Sequence, residues 1–133
     1  KPGHHALPQN EPKYDICVPE APDFLKGIAL KQWKIYSTLL ASKGLMSDAY
    51  VADLANACLC IQEVAEATED IEANGYTETT SNGNTIQRPI VGLRHQAMDR
   101  IHKFLIEYGL TPVSSARVIA SDTKEIDEFA EFD

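Results

Sequence analysis

The sequence has no apolar run approaching membrane-spanning length and no signal peptide, so neither a bilayer span nor a secretory route is expected. Cysteine is scarce and odd in number: Cys17, Cys58 and Cys60. Cys58 and Cys60 stand two apart in a helical pattern and point to nearly opposite sides, so they neither bridge each other nor share a metal. Buried thiols in a reducing cytoplasm are the reading that remains. Also missing are a phosphate-cradling glycine loop, a nucleophile motif and a pair of carboxylates on a rigid turn. An enzyme is therefore not expected, and no cofactor is. One last absence organises the chain: from Ser47 to Asn74 there is no proline, no glycine, no lysine and no arginine.

That stretch, SDAYVADLANACLCIQEVAEATEDIEAN, reads as one helix opened by Ser47 and stopped by Asn74-Gly75. At 1.5 Å per residue it would span roughly 40 Å. Its first half is apolar almost all round, through Tyr50, Val51, Leu54, Ala55, Ala57, Cys58, Leu59 and Ile61. Its second half keeps one apolar stripe (Val64, Ala65, Thr68, Ile71) opposite an acidic face. A helix apolar all round must be covered on several sides, which calls for the other helices and for a second copy of the chain.

A net charge of −8 over 133 residues argues against a dedicated nucleic-acid binder, but the charge is uneven. Residues 1–46 and 76–121 each carry a small basic excess, whereas residues 47–75 hold seven acids and residues 122–133 six acids and one lysine. A polyanion would have to bind the two basic segments.

Residues 1–22 hold five prolines and read as an extended arm, suited to lie across another subunit. The pair His4-His5 has no acidic or thiol company to make it a metal site. A first helix is expected from an Asp23 cap to Gly44, with Phe24, Ile28, Ile35 and Leu39 on one arc and Trp33 and Leu30 on a second apolar side. Lys26, Lys31, Lys34 and Lys43 surround it, as phosphate contacts or as partners of the acidic second helix. The corner Gly44-Leu45-Met46-Ser47 is short enough to force an antiparallel helical hairpin.

After Gly75, Thr-rich runs flanking Ser81-Asn82-Gly83-Asn84 predict a β-hairpin over about residues 76–88. A third helix follows from Pro89 to Tyr108, with Ile90, Leu93, Ala97, Met98, Ile101, Phe104, Leu105 and Tyr108 on one face. Opposite lie His95, Asp99, His102 and Lys103; the first three have the spacing for one metal, but no fourth ligand is in sight and a solvated face is the commoner meaning, so no metal is assigned. Arg94 projects toward the apolar side, either to pair with acids of the second helix or to face a channel between subunits. Gly109-Leu110-Thr111-Pro112 ends this helix and caps another short one. The tail alternates acids with Ile126, Phe129 and Phe132, the pattern of a docking segment that becomes helical on a partner.

The expected fold is therefore mainly α: a long-helix antiparallel hairpin plus a third helix, with a small β-hairpin between helices two and three, in a ring-forming homo-oligomer. Residues 1–22 form the arm, 23–120 the oligomerisation core and 121–133 the acidic tail. Trp33, Tyr50, Val51, Leu54 and Leu59 are the interface candidates. Because the chain starts at Lys1, a preceding piece is expected.

With those pieces in order, the chain resembles the small subunit of tailed-phage terminases, in the branch with a Gly-Leu-Thr-Pro segment near the C-terminus. The resemblance rests on Trp33, the Gly44-Leu45-Met46-Ser47 corner, Asn82-Gly83 followed by Pro89, and Gly109-Leu110-Thr111-Pro112 with Ser114, Ala116 and Arg117. It covers roughly residues 11 to 118. Family members usually carry an acid where Tyr50 stands and a further arginine where Ser115 stands. The resemblance implies a non-catalytic ring in the host cytoplasm that recognises viral double-stranded DNA. Its partners would be the large subunit, which holds the ATPase and nuclease, and the portal. The DNA-facing candidates are Lys26, Lys31, Lys34, Arg88, Arg94, Arg100, Lys103 and Arg117, and the tail residues Ile126, Phe129 and Phe132 are expected to bind a protein partner. The alternative is an acidic helical adaptor that binds proteins and no nucleic acid.

Overall fold

The computed structural model describes residues 18–116. Arg117, the tail residues Ile126, Phe129 and Phe132, and the arm up to Cys17 lie outside the described residues. The protein is mainly helical: α1 (Gly27–Ser42), a 3₁₀ turn (Asp48–Tyr50), α2 (Val51–Asn74), strands β1 (Thr77–Thr79) and β2 (Thr85–Gln87), and α3 (Pro89–Glu107). A further helical turn covers residues 112–116. Three helices with a two-stranded antiparallel hairpin between the second and third match the expected order. The chain divides into two compact units between Cys58 and Leu59, inside α2.

In the first unit, α1 starts three residues later than a cap at Asp23 would place it. Gly27 adopts φ +55°, a left-handed value that interrupts a right-handed helix, so Asp23 caps nothing. The residues before it turn instead, with the Leu25 amide donating to the Pro22 carbonyl at 3.0 Å. The buried side of α1 is Ala29, Trp33, Ser37 and Leu40, preceded by Leu25. These recur every three or four residues, as one helix face requires. The arc of Phe24, Ile28, Ile35 and Leu39 is instead 61, 41, 56 and 38 % exposed. The two apolar sides of this helix were both legible; which one the chain covers was not. Gly44, at φ +70°, closes α1 as its amide and that of Leu45 return to the Ala41 and Leu40 carbonyls. Ser47 has extended backbone before the 3₁₀ turn but no side-chain capping bond, so α2 proper begins at Val51. Leu54, Ala55, Ala57 and Cys58 are buried there, while Tyr50 is exposed.

In the second unit, Cys60, Ala67 and Ile71 of α2 are buried, and Gly75 (φ +83°) stops the helix with its amide bonded to the Ile71 carbonyl at 2.7 Å. The hairpin pairs Thr77 with Gln87, Glu78 with Ile86 and Thr79 with Thr85. Its loop is a turn from Thr80 that ends on the left-handed Gly83 (φ +83°), within a closure in which the Thr80 amide donates to the Asn84 carbonyl. On α3, Val91, Ala97 and Phe104 are buried, as is Tyr108 just beyond it, and the Phe104 and Tyr108 rings lie 4.6 Å apart. Leu93 (58 % exposed) and Met98 (41 %) mark the edges of the predicted stripe, and Val91, outside it, is covered.

The Gly-Leu-Thr-Pro segment breaks one helix and restarts another. Gly109 (φ +68°) and Leu110 donate to the Ile106 and Leu105 carbonyls, closing α3. Thr111 and Ser114 then bond reciprocally: each hydroxyl accepts from the other residue's amide at 3.2 Å. That is a capping box with proline at the first helical position.

Candidate nucleic-acid and assembly surfaces

The basic candidates fall into different states. In the first unit Lys26, Lys31 and Lys34 are exposed. Lys31 and Lys34 are three residues apart on α1 and share a face. In the second unit Arg100 and Lys103 are exposed on α3 and also stand i, i+3.

Arg88 is committed to the fold. Its Nη2 donates to Asp70 Oδ1 at 2.6 Å and its Nη1 to the Gly75 carbonyl at 2.9 Å, while its backbone amide bonds the Tyr76 carbonyl. Asp70 also accepts from Asn74 Nδ2 at 2.9 Å. The Arg88 hydrogen bond, followed by that of Asn74, holds the Asp70 carboxyl below the usual aspartate range. This cluster ties the foot of the hairpin to the last turn of α2. A phosphate would have to compete with an existing charge-assisted pair.

Arg94 meets no carboxylate in its described bonds. Its Nη1 lies 3.4 Å from Thr68 Oγ1, and its guanidinium sits 5.8 Å from the centre of the Tyr76 ring. Its Nε–H is buried without a hydrogen-bond partner among the described residues. Arg94 and Arg100 line a cleft of about 440 Å³ with Glu63, Glu66, Ala67 and Leu93.

Cys58 and Cys60 are both buried free thiols. Burial pushes Cys58 up to about 11 and also raises Cys60, where nearby Glu63 adds to the effect and Arg100 offsets part of it. Neither is a reactive thiolate at neutral pH. His95, Asp99 and His102 are exposed on α3, and among the described residues no three His, Cys, Asp or Glu side chains are grouped to hold a metal ion. No helix among the described residues is long and apolar enough to cross a membrane.

The assembly candidates separate equally clearly. Trp33 (2 % exposed) and Leu54 lie inside the chain's own core. Val51 and Leu59 are half-buried and Tyr50 is 43 % exposed. The uncovered apolar side chains of α1 are those of the arc, and Trp33, on the second apolar side, is the covered one.

No curated protein and no solved structure matches the chain. The model of one family, described as phage terminase, small subunit, matches residues 29–125, which take in α1 from its third residue, α2, the β-hairpin, α3 and the Thr111–Ser114 cap. The chain belongs to the phage terminase small-subunit family.

Proposed function

We propose that this chain assembles into a closed homo-oligomer that recognises viral double-stranded DNA and regulates the ATPase and nuclease of the terminase large subunit, doing no chemistry itself. Membership of the family gives it a part in phage genome packaging. The observation that carries the assembly reading is the arc Ile28, Ile35 and Leu39, three large apolar side chains left uncovered along one side of α1, with Phe24 just before the helix also exposed. Grouped apolar surface of that kind marks a contact with another protein, and repetition of one contact by identical copies closes a ring. Tyr50 adds to the same unit's exposed apolar surface.

For DNA, the exposed pairs Lys31–Lys34 and Arg100–Lys103 suit phosphate contacts, each too few for one subunit and multiplied by symmetry. Arg88 is better placed as a structural tie, and Arg117 remains a candidate from the sequence. Portal contact is the further partner this reading carries.

Native mass spectrometry tests the assembly, with a single oligomer larger than a dimer expected. A monomer at high concentration overturns it. Filter binding of double-stranded DNA across a salt series tests recognition, with affinity expected to fall steeply as salt rises. No binding at low salt would leave the protein-only adaptor, which the net charge of −8 favours.

A further inference from the structure

We propose that the cleft lined by α2 and α3 is the docking site for the chain's own acidic C-terminal segment, residues 122–133. The floor of the cleft is apolar, formed by Ala67, Ile90 and a Leu93 that is 58 % exposed. Arg94 and Arg100 supply cationic groups at the same cleft. A carboxylate beside an aromatic ring matches both these cations and the apolar floor.

The last twelve residues have that composition: six acids interleaved with Ile126, Phe129 and Phe132. The cleft is not uniformly basic. Glu63 and Glu66 also line it, and Glu66 already accepts from Gln62 Nε2 at 3.0 Å. Those glutamates disfavour a uniform polyanion within the cleft, although Arg100 is itself exposed to solvent. They suit a segment that brings Lys124 and phenyl rings along with its carboxylates. Reach is sufficient: Phe129 is thirteen residues beyond Ala116, up to about 43 Å of extended chain, against about 20 Å of helix between Arg94 and Glu107. Tethering also gives the segment an effective concentration on the order of millimolar that a free peptide lacks.

The consequence rests on the DNA reading above. A docked tail occupies Arg100 and withholds it from phosphate, so the chain restrains its own DNA affinity until a partner takes the tail. If the tail is docked nine-tenths of the time, affinity through that site falls about tenfold.

The full chain labelled with fluorophenylalanine tests the docking by fluorine NMR. It has four phenylalanines, Phe24, Phe104, Phe129 and Phe132, and leucine variants at 129 and 132 assign the signals. The expected result is a Phe129 or Phe132 signal displaced from its solvent position, unchanged on dilution. It should return to the solvent position in the Arg94→Gln/Arg100→Gln double variant and, separately, in Leu93→Glu, an exposed site whose change leaves the core intact. Signals at the solvent position in the unaltered chain overturn the proposal. So does a displacement lost on dilution, which assigns the cleft to a second copy's tail, and so does a displacement insensitive to both cleft variants. Replacing the six tail acids by Asn and Gln should tighten low-salt DNA binding about tenfold. Unchanged DNA affinity with the displacement present would leave docking standing and remove Arg100 from the DNA surface.

Discussion

At the scale of single residues, the informative side chains are those whose polar atoms are either over-committed or unmatched. Ser37 is fully buried and its hydroxyl has no hydrogen-bond partner among the described residues. Replacing it by alanine removes a desolvated donor at almost constant shape. Ser37→Ala should therefore be neutral or stabilising by up to about 1 kcal/mol in thermal unfolding. Gly92 lies inside α3 with helical backbone and nothing within 4 Å of where a Cβ would stand. Gly92→Ala should raise stability by about 0.5–1 kcal/mol, chiefly by reducing the freedom of the unfolded chain. Asp70 is the titration to follow. Its carboxyl is held below the ordinary range in the fold, so the Arg88 tie stabilises above the unfolded aspartate value and is lost as pH falls through the folded one. Protection of the hairpin amides, taken relative to the intrinsic exchange rate at each pH, should fall only in acid, below about pH 4, and in Arg88→Gln that acid dependence should vanish because the hairpin is loose throughout.

At the scale of elements, each boundary is a backbone decision made by one or two residues. The Thr111–Ser114 capping box shows how little chain is needed: reciprocal 3.2 Å bonds and a proline start a helix immediately after Gly109 has ended the previous one. Thr111→Ala should cost about 1 kcal/mol, read as a lowered unfolding midpoint, while Thr111→Ser should restore most of it. The hairpin is the opposite case. All six strand residues are exposed, and a two-stranded ribbon is marginal in water, so its stability depends on the Arg88 anchor at its foot.

At the scale of the whole molecule, the distribution of apolar surface on α1 matters most. Trp33, Leu40 and Leu54 are buried within the chain, whereas Ile35 is 56 % exposed. Under the assembly reading, Ile35→Asp should shift native mass spectra from oligomer to monomer while leaving the helical circular dichroism unchanged. Leu54→Ala should instead lower folding stability by about 2–5 kcal/mol, because it empties a packed interior. Equal loss of helicity in both variants would sink the distinction between an outer and an inner face.

The sequence alone determined the helices, the β-hairpin, the glycine stops, the Thr111 cap and the family resemblance. All of these rest on local rules: glycine tolerates φ > 0, threonine caps, proline opens a helix, and apolar residues recur at 3.6. It did not foresee that Gly27 interrupts the first helix, because a glycine is compatible with either hand. Nor did it separate the exposed cations Lys31, Lys34, Arg100 and Lys103 from Arg88, whose partner Asp70 lies eighteen residues away. Only the tertiary structure decided which apolar side of α1 is covered. Burial is a property of what packs against a face, and two apolar faces on one helix are equivalent until something lies on one of them.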